Sequence, residues 1–182
     1  RSYSKIAPFV PHVQHMPGHI FTRLGMWDET IARNLSSADA ARAYAEKNHP
    51  DATGFEELHA IDYLLYAYLQ QGQDAKAKEL VAKIEGVTKT HPAEDMVASF
   101  AAGSAPARWT LERRAWEEAA KLEPKGPAAN KKFAFTAAMV WHARAIGAAR
   151  SGDLENARQS VARMNEVADG MTAPAQEYWK NT

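Results

Sequence analysis

Three glycines constrain this chain more than any other feature. Gly25-Met26-Trp27-Asp28-Glu29-Thr30-Ile31, Gly72-Gln73-Asp74-Ala75-Lys76-Ala77-Lys78 and Gly152-Asp153-Leu154-Glu155-Asn156-Ala157-Arg158 repeat one pattern. A fourth, degenerate copy is Arg114-Ala115-Trp116-Glu117-Glu118-Ala119-Ala120, with arginine in the glycine's place. A glycine without Cβ adopts the left-handed conformation that ends one helix and starts the turn into the next. The small residue five positions later (Thr30, Ala77, Ala119, Ala157) lets the two helices approach. Trp27, Trp116 and Leu154, two positions after the turn, are expected to staple the second helix. The turns lie 47, 42 and 38 residues apart, from 25 to 72, 114 and 152. These intervals exceed a minimal helical-hairpin repeat, which predicts long, irregular connecting loops.

Apolar residues elsewhere step by three and four, as in Leu58-Ile61-Leu65-Tyr68-Leu69 and Leu154-Ala157-Val161-Met164. No stretch alternates with period two, so the chain reads as all-α. Pro8, Pro50, Pro92 and Pro124 close segments. The predicted helices span about 12–24, 28–47, 55–71, 74–85, 94–113, 115–122, 129–150 and 154–169.

Composition excludes several function classes. Twenty-two Lys+Arg balance 22 Asp+Glu, which argues against nucleic-acid or polybasic membrane binding. No cysteine is present, so disulfides, thiolate metal sites and a cysteine nucleophile are absent. No apolar run approaches the roughly 18 residues of a membrane span. The opening Arg1-Ser2-Tyr3-Ser4-Lys5 does not read as a signal peptide. There is no nucleophile elbow, phosphate-binding glycine loop or His-Glu-x-x-His. Seven histidines stand out against this background.

The Gly-x-Trp/Leu-x-Glu-x-Ile/Ala pattern resembles the tetratricopeptide repeat (TPR), over nearly the whole chain. His15-Met16-Pro17-Gly18-His19-Ile20-Phe21 is also similar to a signature in a bacterial group of TPR proteins of poorly defined function. The resemblance implies a right-handed superhelical solenoid of antiparallel helix pairs, with about four repeats over 11–50, 51–92, 93–127 and 128–170. Tyr3-Ser4-Lys5-Ile6-Ala7-Pro8, within 1–10, reads as the tail of an earlier repeat. Pro174-Ala175-Gln176-Glu177-Tyr178-Trp179, within 171–182, reads as the start of a further helix, so a fragment of a longer chain is expected. A scaffold in the bacterial cytoplasm or periplasm follows by analogy.

In the TPR family, the first helix of each pair lines a concave groove at positions 13, 10, 6 and 3 before the turn. Counting back from Gly25 gives His12, His15, His19 and Thr22. From Gly72 come His59, Asp62, Tyr66 and Leu69; from Arg114, Ala101, Ser104, Arg108 and Leu111; from Gly152, Met139, His142, Ile146 and Ala149. Five of the seven histidines fall on these sixteen positions, where chance would place fewer than one.

Two functions follow. The resemblance implies a non-enzymatic interaction module that takes a peptide or protein in the groove, through His15, His19, His59, Asp62, Tyr66, Arg108 and His142. No cofactor is then expected, and binding should weaken as pH falls through about 6.5 if neutral imidazoles accept hydrogen bonds. Carboxylate-clamp TPRs are rich in groove Lys and Asn, which this groove lacks. Alternatively, His12, His15, His19, His59 and Asp62 bind a divalent transition metal such as Zn, Ni, Cu or Fe(II), structurally or as a hydrolytic or oxidative centre. Asp62 would be a ligand or would orient an imidazole. Histidines at such places also cap helices, stack on rings or hydrogen-bond neighbouring hairpins, and Tyr63, Tyr66, Phe21 and Trp27 are at hand.

Pro17 and Pro106 fall inside two of these first helices, which predicts either a kink or a helix start there. Gly18 is expected to permit close helix approach. Arg108 with Ser104 would suit a carboxylate. Trp109, Trp116 and Trp141 are expected in the core, and Arg113-Arg114 and Glu117-Glu118 on a solvated face. Asp51 and Thr53 read as turn or N-cap residues before a helix near Phe55.

Overall fold

The left-handed turns form where the glycines stand, with φ of 68° at Gly25, 69° at Gly72 and 84° at Gly152. Arg114 adopts the same conformation, with φ of 54°. All four turns carry the same two hydrogen bonds. The residue after the turn donates to a carbonyl five positions back: Met26 to Phe21, Gln73 to Tyr68, Ala115 to Thr110 and Asp153 to Ala148, at 2.8–2.9 Å. The turn residue itself donates three back, to Thr22, Leu69, Leu111 and Ala149. These paired bonds satisfy carbonyls that a helix end leaves open.

The computed structural model describes residues 5–172, Gln176, Tyr178 and Trp179. Eight α-helices appear among them: α1 (Pro11–Arg23), α2 (Trp27–Asn48), α3 (Phe55–Gln70), α4 (Asp74–Glu85), α5 (Met96–Glu112), α6 (Trp116–Ala119), α7 (Phe135–Arg150) and α8 (Leu154–Gly170). The all-helical expectation therefore stands, with one small exception. β1 (Thr53–Gly54) pairs in parallel with β2 (Thr90–His91), Thr53 opposite Thr90. None of the described helices is long and apolar enough to cross a membrane. The readings of Tyr3-Ser4 and of most of 174–179 lie outside the described residues.

The chain divides into two compact units, Arg1–Ala101 and Ala102–Thr182, with the division inside α5. In the first unit, α2 packs between α1 and α3, and α3 also meets α4 and α1. Leu58, Ile61, Leu64 and Leu65 of α3 are fully buried at its centre. In the second unit, α7 pairs with α8 and meets α6. There a Cβ on Gly147 would lie 2.6 Å from the Ala120 backbone nitrogen, so α6 and α7 touch through their backbones. Thr30, Ala77 and Ala119, three of the small residues five beyond each turn, are fully buried as expected.

Several expectations need correction. Neither α1 nor α5 begins at its proline: Pro17 and Pro106 lie within the helices, and Pro11 occupies the first turn of α1. His12 and His15 are therefore helical. The stretch 129–134 is not α-helix; two 3₁₀ turns precede α7 there. Asp51 lies in the turn before α3, as expected of a turn residue, but neither it nor Thr53 caps the helix, whose N-cap is Gly54 without a side-chain bond. Asp51 instead pairs with Lys89, and Thr53 is used by the β-pair. Trp109, Trp116 and Trp141 are only half-buried, because polar neighbours cover them. Trp109 donates to Glu118, while Arg150 and Arg144 lie over Trp116 and Trp141. Leu154 is 57% exposed and staples nothing.

Candidate metal centre

α1 sets His15 and His19 one turn apart on a single face, and α3 brings His59 and Tyr63 against them in the same i, i+4 relation. The ring of His15 lies 4.3 Å from that of His59 and 4.7 Å from that of Tyr63. One ligand nitrogen from each of His15, His19 and His59 lies within 4.8 Å of the other two. Close approach of α1 and α2 makes this possible. A Cβ on Gly18 would sit 2.8 Å from the Asn34 amide nitrogen, so a larger residue would displace Asn34.

Asn34 fixes the chemistry of His15. Its Nδ2 donates to the Thr30 carbonyl at 2.8 Å, which turns Oδ1 toward His15. His15 Nδ1 therefore carries the proton and donates to Asn34 Oδ1 at 2.7 Å. The lone pair of His15 is left on Nε2, aimed at His19 Nε2, 3.0 Å away. Tyr63 holds the other side of His19, with its hydroxyl 2.7 Å from Nδ1. Without a metal, Tyr63 donates to His19, and His19 Nε2–H donates to His15. Were a metal bound, His19 would carry its proton on Nδ1 and donate to the phenol oxygen, leaving Nε2 as the ligand atom. A hydroxyl can both donate and accept, so Tyr63 serves both states.

Burial keeps the imidazoles neutral. His15 is 2% exposed. Desolvation lowers its pKa to about 4, against the pull of the Asn34 bond and with help from His59, His19 and His12. His19 is lowered by burial first, then by His12 and Arg23. His59 is lowered by burial, which Asp62 partly offsets. Neutral imidazole is the form that binds metal. These shifts also displace the titration expected near 6.5 to lower pH for all three.

Metal–nitrogen bonds of about 2.0–2.1 Å put tetrahedral ligand atoms roughly 3.3 Å apart. The His15–His19 pair is already close to that spacing, at 3.0 Å. The expected ligands His12 and Asp62 do not join the cluster among the described residues. His12 is exposed on α1, its ring 6.5 Å from that of His15. Asp62 is buried and acts on His59 electrostatically. Tyr66 packs edge-on against Trp27 at 5.6 Å.

Arg108 and His142 belong to the second unit. With Ser104, Leu111 and Met139 they line a cavity of about 560 Å³ between α5 and α7. These five lining residues all occupy groove positions counted back from Arg114 and Gly152. The sequence offered Tyr63 as a stacking or hydrogen-bonding partner for the histidines, which its bond to His19 bears out, but it did not point to Asn34. A signal for Asn34 exists, since asparagine disfavours a helix interior unless its amide has a structural task.

No family model, curated protein or solved structure matches the chain.

Proposed function

We propose that this chain is a TPR-like helical repeat protein that binds one divalent transition metal through His15, His19 and His59. The observation that carries this reading is three ligand nitrogens within 4.8 Å of one another. The lone pair of His15 is directed into that space by the Asn34 bond. Carboxylate- or amide-oriented histidines of this kind are the usual support of a metal ligand. An all-imidazole set suits Zn, Cu, Ni or Fe(II). A metal here joins α1 to α3 and so fastens two successive hairpins of the first unit.

The test uses the untagged chain. Elemental analysis after purification, and thermal shifts with Zn or Ni, are expected to give one metal per chain and a raised Tm. His15→Ala and His19→Ala are expected to abolish both. Absence of stoichiometric metal together with absence of any shift overturns the reading.

A second reading rests on the cavity lined by Ser104, Arg108, Met139 and His142. A guanidinium beside a buried hydroxyl and an exposed imidazole suits a carboxylate or polar group of a bound peptide or protein. Short peptides with free C-terminal carboxylates are expected to move the His142 ring resonances. Arg108→Ala is expected to remove that response, and unmoved resonances in the parent chain count against this reading.

A further inference from the structure

We infer that a metal held by His15, His19 and His59 keeps one exchangeable coordination position, open to a small anion or to water. This rests on the metal reading above and adds a ligand class to it. The first argument is the number of donors. Among the described residues, no fourth histidine or carboxylate joins the cluster. Two polar neighbours of the cluster bond to the far sides of the rings. Asn34 Oδ1 holds His15 Nδ1, and the Tyr63 hydroxyl holds His19 Nδ1. A closed structural zinc site has four protein ligands, whereas a three-ligand site leaves its fourth corner to water or substrate.

The second argument is charge. Three neutral imidazoles do nothing to offset the 2+ charge of the ion, and Asp62 and Asp95, which act on His59, do so from outside the three-histidine set, so an anion is favoured at the open position. The third is access. His15 forms a buried floor, while His19 and His59 are half-exposed. Ligand exchange there is simple displacement: water leaves the metal and the anion enters, with no redox change.

Cobalt(II) makes the position visible. The untagged chain is loaded with one equivalent of Co(II), and its visible bands are recorded while azide, then acetate, is added. A saturable, one-to-one shift of the bands is expected with azide. Intense four-coordinate cobalt bands that azide leaves unchanged show that a protein group fills the fourth corner; they overturn this inference and leave the metal reading standing. Absence of bound cobalt, confirmed with zinc by elemental analysis, overturns both. Tyr63→Phe is expected to retain the azide shift, since the phenol orients His19 and does not occupy the corner. An azide shift that is absent from the parent chain and appears only in Tyr63→Phe means that the phenol itself fills the corner, and it overturns the inference.

Discussion

At the scale of single residues, the candidate centre depends on two residues that are not among its proposed ligands. Asn34 selects the tautomer of His15, and Gly18 leaves room for Asn34. Asn34→Ala strands the buried His15 Nδ1–H, which costs about 1–3 kcal/mol of stability. The same change is expected to weaken metal binding about 10–100-fold, as loss of an orienting partner commonly does. Urea unfolding and competitive zinc titration check the two effects separately. Protonation supplies a second prediction. The folded pKa of His15 is about 4, against 6.5 for a free imidazole. Above pH 6.5 the ring is neutral in both states and contributes nothing. As pH falls from 6.5 toward 4 the unfolded chain takes up a proton that the folded chain refuses, so stability falls. The metal-free chain is expected to lose about 3 kcal/mol from this group by pH 4. Urea midpoints between pH 7 and 4 would show the loss, and His15→Gln should remove the His15 share of that slope and leave the share of His19 and His59.

At the scale of elements, the four turns are one device built with two kinds of residue. Gly25, Gly72 and Gly152 reach positive φ without strain, but Arg114 carries a Cβ into the same conformation. Left-handed backbone costs an ordinary residue about 1 kcal/mol. Arg114→Gly is therefore expected to stabilise the second unit by about 0.5–1 kcal/mol, read as a raised Tm. An unchanged or lowered Tm would mean that the Arg114 side chain contributes as much as its strain removes. Gly72→Ala should move the first unit in the opposite direction by a similar amount. The elements also show how little a proline inside a pattern decides. Pro17 forgoes one backbone hydrogen bond, yet α1 continues through it, since the packed neighbours α2 and α3 hold the helix on both sides.

At the scale of the whole molecule, the two compact units are expected to respond differently to metal. All three candidate ligands lie in Arg1–Ala101. Binding to the native state stabilises what it binds. Hydrogen exchange with one equivalent of zinc is therefore expected to slow in α1 and α3 and to stay unchanged in α7 and α8. Equal slowing in both units would place the metal elsewhere or make the units one cooperative body.

The sequence by itself determined the turns and most of the helices, though not the stretch 129–134, which is 3₁₀ rather than α-helical. Those follow from local rules: apolar steps of three and four, small residues at close approaches, and glycine where φ must be positive. The Gly72 turn and the ends of α4 were legible to the residue for that reason. It also placed His15, His19 and His59 on positions that could face one another. Tertiary structure decided which of the candidates meet. His12 and Asp62 share the spacing of the cluster but not its space, because a helix face spans more directions than one ion can gather. The weak β1–β2 pair and the half-exposed tryptophans were illegible for the same reason, since both depend on what an unrelated segment brings alongside. Asn34 is the clearest case. It is nineteen residues from His15 in the chain, and only the Gly18 contact between α1 and α2 brings the amide to the ring and settles where its proton sits.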